Sequence, residues 1–197
     1  MSEAVTIRRL HGAELEAALP ALAELRITVF ADWPYLYDGD LAYEQDYLRE
    51  FAAEPGSVLM AAMRGQRLVG AATASPMARQ KAEFRAPFES LGFDSSRLFY
   101  FGESVLLKTF RGHGIGHGFF DQREAAAREA GASHASFCAV VRPDDHPDRP
   151  ADYRPLDAFW RGRGYEKVDG LMTSFAWKDR GETQESKHPM QFWMRAL

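Results

Sequence analysis

Tyr100-Phe-Gly-Glu-Ser-Val-Leu-Leu-Lys-Thr-Phe-Arg-Gly-His-Gly-Ile-Gly-His-Gly118 changes character twice along its length. With Leu98 and Phe99 ahead of it, the stretch opens as an apolar strand: Tyr100, Phe101, Val105, Leu106 and Leu107 are types that strands favour. Arg111-Gly-His-Gly-Ile-Gly116 interrupts it. Ile115, Phe119, Ala126 and Ala130 then recur at helical spacing, which assigns Arg123, Glu124, Arg128 and Glu129 to the wet side, and Gly131 suits the helix end. The order is strand, glycine loop, helix. Glycines let backbone approach a ligand, and the first amides of a helix lack internal partners, so this arrangement suits a phosphate or pyrophosphate. A tight helix–strand contact that binds nothing would use the same glycines.

The loop is not a Walker loop, which needs Gly-x-x-x-x-Gly-Lys-Ser/Thr, and Gly112, Gly114, Gly116 and Gly118 do not fit Gly-x-Gly-x-x-Gly. It resembles the acyl-CoA loop of the GNAT family of N-acetyltransferases, Arg/Gln-x-x-Gly-x-Gly/Ala, with Arg111, Gly114 and Gly116 at the three fixed positions. Phe159-Trp-Arg-Gly-Arg-Gly-Tyr165 is similar to the late Phe-Tyr-x-x-x-Gly-Phe segment of that family. The resemblance implies an α/β (α+β) fold: one mixed, mostly antiparallel sheet of about seven strands, flanked by helices. Its two central strands, here near Tyr100–Leu107 and Ser133–Val141, would splay to admit acetyl-CoA.

The 197 residues fit a single domain over 1–197, and 46% hydrophobic content with 13% aromatics allows a substantial core. A net charge of -4 argues against a nucleic-acid surface. One cysteine excludes an internal disulfide framework and fits a reducing compartment. No run is long and apolar enough to span a membrane, and Met1-Ser-Glu-Ala4 does not read as a signal peptide, so a cytoplasmic protein without membrane partners is expected. A homodimer stays open.

Along the chain, Val5–Leu10 reads as a strand. Leu15, Leu19, Leu22, Leu25 and Val29 make a helix over Ala13–Val29 that Pro20 should kink or split. The following loop carries Phe30, Trp33, Tyr35 and Tyr37, rings that either wall a binding site or plug the core; the resemblance places the acceptor there. Asp40 caps a helix over Leu41–Ala53 with Tyr43, Tyr47 and Phe51 as its apolar row and Leu41 and Leu48 beside it. Ser57–Met63 and Arg67–Ser75 form a hairpin. Arg79–Ser96, with Phe84, Phe88 and Leu91, holds a short helix that is a lid or a plain insertion. His134–Val141 is a buried strand, the 142–150 segment a Pro-rich loop, Leu156–Arg161 a short helix. Tyr165–Lys178 and Pro189–Leu197 close the sheet, the latter half-buried by alternation.

Glu103 lies inside an apolar strand next to the loop. A partly desolvated carboxylate is a stronger base, which suits it to take a proton from an amine; pointing to solvent or pairing with a buried arginine are the alternatives. Gly102 marks a bulge. The resemblance implies that backbone groups of Ser104, Val105 and Leu106 hold the pantetheine arm and the thioester. Gly112, His113, Gly114, Ile115, Gly116 and His117 would supply pyrophosphate donors, with charge from Arg111. Trp33, Tyr35 and Tyr37 are the candidate acceptor contacts. Trp160 stands where the family often has a proton-donating tyrosine; Tyr153 and Tyr165 are substitutes. His113 and His117 have a zinc-pair spacing but no third ligand, so no metal is expected, and Cys138 reads as packing. The resulting expectation is acetyl transfer from acetyl-CoA to a small-molecule or peptide amine, against a non-catalytic acyl-CoA-binding domain or an interaction module.

Overall fold

A computed structural model describes residues 3–197. In chain order it contains β1 (Val5–Leu10), α1 (Gly12–Phe30), α2 (Leu41–Ala53), β2 (Val58–Arg64), β3 (Arg67–Pro76), α3 (Ala82–Ser90), β4 (Leu98–Leu106), α4 (Ile115–Glu129), β5 (His134–Val140), α5 (Asp157–Gly162), β6 (Glu166–Trp177) and β7 (Ser186–Ala196). Among the described residues the strands form one sheet, in the order β1-β2-β3-β4-β5-β7-β6. Every pairing is antiparallel except β4 with β5. The expected mixed sheet is therefore present. No helix among the described residues is long and apolar enough to cross a membrane.

Alternation along the strands creates two cores. One lies under α4 and α5, where Phe99, Phe101, Phe119, Phe137, Tyr165 and Trp193 pack together. The opposite face splits in two: Leu22, Leu25, Leu48, Leu59 and Val105 pack under α1 and α2, while Phe88, Leu98, Tyr100, Cys138 and Phe192 pack under α3. The line between those two clusters runs over the centre of the sheet, and the candidate site sits on it.

Several sequence expectations need correction. Helix α1 is one unbroken helix with Pro20 inside it. Pro20 is exposed and the helix buries Leu19, Leu22 and Leu25 against the sheet; that packing keeps both halves in one element. On α2, Asp40 caps as expected, accepting from the Tyr43 amide at 2.8 Å, but the buried residues are Glu44 and Leu48. Tyr43 and Leu41 face solvent. Arg123 and Glu124, assigned to the wet side of α4, are buried, because both belong to polar networks described below. Strand β7 is covered on both faces, with Trp193 in one core and Phe192 in the other. The 79–96 segment is integral packing: Phe84 lies 4.9 Å from Tyr100 and 4.5 Å from Phe175, and Phe88 lies 4.8 Å from Phe192. Leu91 is exposed.

Candidate active site

Strand β4 is irregular where it carries Glu103. Phe101 pairs with Ala74 and Ser104 with Ala72, so Gly102 and Glu103 together oppose Thr73. This is the bulge that Gly102 marked. A Cβ on Gly102 would lie 2.5 Å from Thr73 Oγ1, so only glycine fits. The Glu103 amide donates to Thr73 Oγ1 at 3.1 Å. From the other side of the sheet, buried Arg123 donates to the carbonyls of Thr73 (3.3 Å) and Glu103 (3.4 Å). The bulge leaves main-chain groups outside the ladder, and these side chains satisfy them. Burial pushes the Arg123 guanidinium down to about 10, against the opposing pull of Tyr165, Glu103 and Glu124.

The central strands do splay. Pairing of β4 with β5 is confined to Leu98–Tyr100 and His134–Ser136, although β4 continues to Leu106 and β5 to Val140. Ser104, Val105 and Leu106 pair with β3 on one side. Their other edge faces the gap and can receive an extended, amide-bearing chain as an added strand would.

Past the gap, the chain turns through Lys108–Phe110 into the glycine loop and α4. Gly112 and Gly114 both have φ of +80°, a conformation that side chains disfavour, and open space surrounds them. Gly118 differs: a Cβ there would lie 2.4 Å from Ile7 Cδ1. The two readings of the glycines thus divide between positions, with Gly112 and Gly114 shaping the loop and Gly118 making the close contact. Ile115 is buried, and the His117 ring lies 4.8 Å from Phe159 with Nδ1 3.2 Å from Arg163 Nη1. Both side chains are engaged, so what this segment offers an anion is its main-chain amides at a helix start. Arg111 donates from Nε to the Leu106 carbonyl at 3.2 Å. Beside it, a cleft of about 260 Å³ is lined by Arg67, Lys108 and Arg111, with Thr28 and Val29 of α1 and Asp32 of the turn after it.

Glu103 itself has a partner. Its side chain is only 9% exposed, and Oε1 lies 2.5 Å from Arg26 Nη1. Of the alternatives for Glu103, pairing with a buried arginine is the one found, and no donor hydrogen is directed at Oε1. Arg26, from α1, also donates through Nε to Glu44 of α2. Its guanidinium lies 4.6 Å from the Tyr47 ring and 5.2 Å from Phe30. Burial alone would lower its affinity for a proton, but Glu103, Tyr47 and Glu44 outweigh that and raise it, so Arg26 stays charged. The Tyr37 hydroxyl bonds to Glu44, and burial followed by the Glu44 charge pushes its ionisation up.

The aromatic loop between α1 and α2 is half-buried and fastened at its back. Arg142 donates to the carbonyls of Pro34 (2.9 Å) and Tyr35 (2.8 Å) and grips Asp179 with two bonds of 2.7 and 2.9 Å. Trp177 Nε1 donates to the Tyr35 carbonyl at 3.0 Å. Trp33 meets His146 at 5.0 Å and Tyr153 at 5.9 Å. Burial, then Cys138 and Glu103, raises the Tyr35 phenol. The Tyr35 ring packs on Phe30 and Trp177, Tyr37 joins the Arg26 set through Glu44, and Trp33 stands toward the β5–α5 loop.

The tyrosine substitutes for the acid part company. Tyr165 is fully buried, donates to Glu124 Oε1 at 3.1 Å, and belongs to the α4 core. Trp160 packs against Phe137 and Trp193 there. Tyr153 stays half-exposed beside Trp33. The Cys138 thiol, 3.2 Å from the Tyr100 hydroxyl, is pushed up to about 12 by burial and is a poor nucleophile.

Sequence reasoning missed Arg26 and Glu44. A signal was present: Arg26 is four residues after Leu22 and three before Val29, and Glu44 is three after Leu41 and four before Leu48. Charged residues at core spacing invite a search for partners. The Arg142–Asp179 clamp joins residues 37 positions apart and carries no such mark.

The pattern of the acetyltransferase (GNAT) family matches residues 22–151. No curated protein matches the chain significantly. Among solved structures, the chain is similar to a ribosomal-protein-alanine N-acetyltransferase from Brucella melitensis, with 19% identity, TM-score 0.63, and 98% of this chain and 99% of that one covered. A putative acetyltransferase from Salmonella typhimurium, solved with its cofactor acetyl-CoA, aligns with 13% identity, TM-score 0.61 and coverage of 98% and 94%. A probable acetyltransferase from Staphylococcus epidermidis aligns with 12% identity, TM-score 0.64 and coverage of 98% and 99%.

Proposed function

Because the chain belongs to the GNAT family of acetyltransferases, we propose that it transfers an acetyl group from acetyl-CoA directly to a primary amine, with Glu103 taking the amine's proton. The observation that carries this reading is Glu103 Oε1, buried without a directed donor, one residue before the strand edge that opens on the splay. Oε1 meets only the Arg26 guanidinium, which leaves the carboxylate within reach of an amine proton at the splay.

The residues present fit acetyl-CoA. The open edge of Ser104, Val105 and Leu106 matches an amide-bearing arm, and the amides from Gly112 to His117 suit a pyrophosphate. Arg67, Lys108 and Arg111 add positive charge beside them. Acetyl-CoA supplies an acetyl thioester, whose sulfur leaves with the bonding electron pair once the amine nitrogen has joined the carbonyl carbon. Main-chain amides at Ser104–Leu106 would polarise the carbonyl, and Tyr35 and Tyr37 would border the amine. Tyr153 is the remaining candidate to protonate the departing sulfur. Small-molecule and peptide amines both fall within this reading, and a cytoplasmic setting would supply the acetyl donor.

The test is a panel of amino acids, polyamines, aminoglycosides, N-terminal peptides and lysine peptides, each incubated with acetyl-CoA while free CoA is measured. Acetyl-CoA should raise the melting temperature of the parent and not of Gly114→Asp. Release of CoA with an acetylated amine supports transfer. Binding without turnover across the panel would identify a binding domain instead.

A further inference from the structure

One cation lies between two buried carboxylates: Arg26 bonds Glu44 through Nε and faces Glu103 through Nη1. The Arg26 side chain is 11% exposed, Glu44 1% and Glu103 9%. The set carries a net charge of -1, from one arginine and two glutamates. It is also asymmetric. Glu44 receives the directed Nε–H and the Tyr37 hydroxyl, whereas Oε1 of Glu103 has proximity to the guanidinium but no directed hydrogen. The carboxylate with fewer directed donors is therefore the one on β4.

We propose that Arg26 is a positioning residue for deprotonation of the acceptor: held by Glu44 and sandwiched by Phe30 and Tyr47, it fixes the Glu103 carboxylate on the α1–α2 side of the sheet and sets the pH window in which that carboxylate works. This rests on the reading of Glu103 as the base. The mechanism is charge sharing. A carboxylate beside a whole positive charge gives up basicity, and one beside a second carboxylate gains it. Glu44 shares Arg26, so Glu103 does not face the whole of the arginine charge. The charged and titratable groups that act on Glu103 are Arg26 on α1, Tyr47 on α2, Tyr35 on the loop and Arg123 across the sheet on α4, while Glu44 acts through Arg26. Arg123 is committed to the carbonyls at the bulge and to Phe119.

The two partners of Arg26 make predictions of opposite sign. Glu44→Gln leaves the whole arginine charge to Glu103, so the acid limb of kcat/KM should move to lower pH, with lower turnover on the plateau. Arg26→Met removes the cation, so the limb should move to higher pH. Each displacement should be roughly one to three pH units, the range for a neighbouring charge. Arg26→Lys keeps the charge and should stay nearest the parent. The experiment uses the full chain, acetyl-CoA and the best amine from the panel, with kcat/KM calculated on the neutral amine. Acetyl-CoA affinity, by calorimetry, should change by less than about two-fold, because the cofactor edge is untouched.

Melting without cofactor gives a second readout. Arg26→Met leaves two buried carboxylates without counter-charge, so its melting deficit should shrink as pH falls from about 8 to 5 and the carboxylates take protons. If Arg26→Met does not fold, Glu44→Gln decides. A parental pH profile in that variant, with Glu103→Gln impaired, would reduce Arg26 to a structural role and leave the base reading standing. Parental turnover in Glu103→Gln would overturn both.

Discussion

Two buried glutamates, one on each face of the sheet, look alike by burial and differ in how they are met. Glu124, on α4, is saturated: Arg163, Arg195 and the Tyr165 hydroxyl all donate to Oε1 at 3.1–3.2 Å, and Arg195 also reaches Oε2 at 3.2 Å. Glu103, on β4, has one shared arginine and an oxygen with no directed donor. The saturated carboxylate ties α4 to the α5–β6 turn and to β7, whereas the other has fewer partners at the edge of the splay. Burial finds candidates, and hydrogen-bond saturation sorts them.

The sharpest way to break this contrast is to neutralise Glu103. Glu103→Gln should cut turnover by roughly 100- to 10,000-fold, the usual contribution of a positioned acid or base. Acetyl-CoA affinity should be nearly kept. Stopped assays over about pH 6 to 9 check it, and parental rates throughout would make the two glutamates equivalent. Removing the charge of Glu124 should act on stability instead. Glu124→Gln leaves Arg163 and Arg195 short of their buried partner and should cost about 3–5 kcal/mol, read as a lower urea midpoint, with kcat per folded molecule unchanged. A stable but inactive Glu124→Gln would overturn the sorting rule.

A smaller effect is expected at the bulge. Thr73→Val keeps the shape but removes the acceptor of the Glu103 amide, at a cost of about 1–3 kcal/mol for an unsatisfied buried donor. A loss of turnover larger than the loss of stability would show that the bulge positions the carboxylate. The mildest probe is Cys138, buried yet uncharged. Its folded-state ionisation is raised, so its contribution is fully present below the unfolded thiol value near 9 and is lost as pH climbs toward about 12. The parent should therefore lose more stability than Cys138→Ala above pH 9, by about 1 kcal/mol per pH unit. Equal alkaline losses would mean the thiol is not held in its neutral form.

Much of this molecule was legible as pattern. Local signals located the elements: the α2 bounds with Asp40, the hairpin at Gly65, and the strand–glycine–helix sequence at β4 and α4 all follow from short-range chemistry. The splay was expected from family resemblance, since nothing in the residues of β5 announces where its pairing with β4 ends. Charged residues on helices were the systematic failure. Arg26, Glu44, Arg123 and Glu124 are buried because each meets a partner from a distant segment, and periodicity assigns charge to solvent by default. The fastening of the aromatic loop by Arg142 escaped notice for the same reason: its value lies in geometry between residues far apart in the chain.

The bulge at Gly102 gives β4 two reading frames. Phe99 and Phe101 face the α4 core, and in an unbroken alternation Glu103 and Val105 would follow them. Because Gly102 and Glu103 count as one step against Thr73, the phase inverts, and Glu103 meets Arg26 while Val105 joins the α1–α2 core. The chemistry proposed for this protein depends on that phase change as much as on the carboxylate. Any edit that irons the strand flat acts as a frameshift written in space: every residue keeps its identity, and the base is delivered to the wrong side of the sheet.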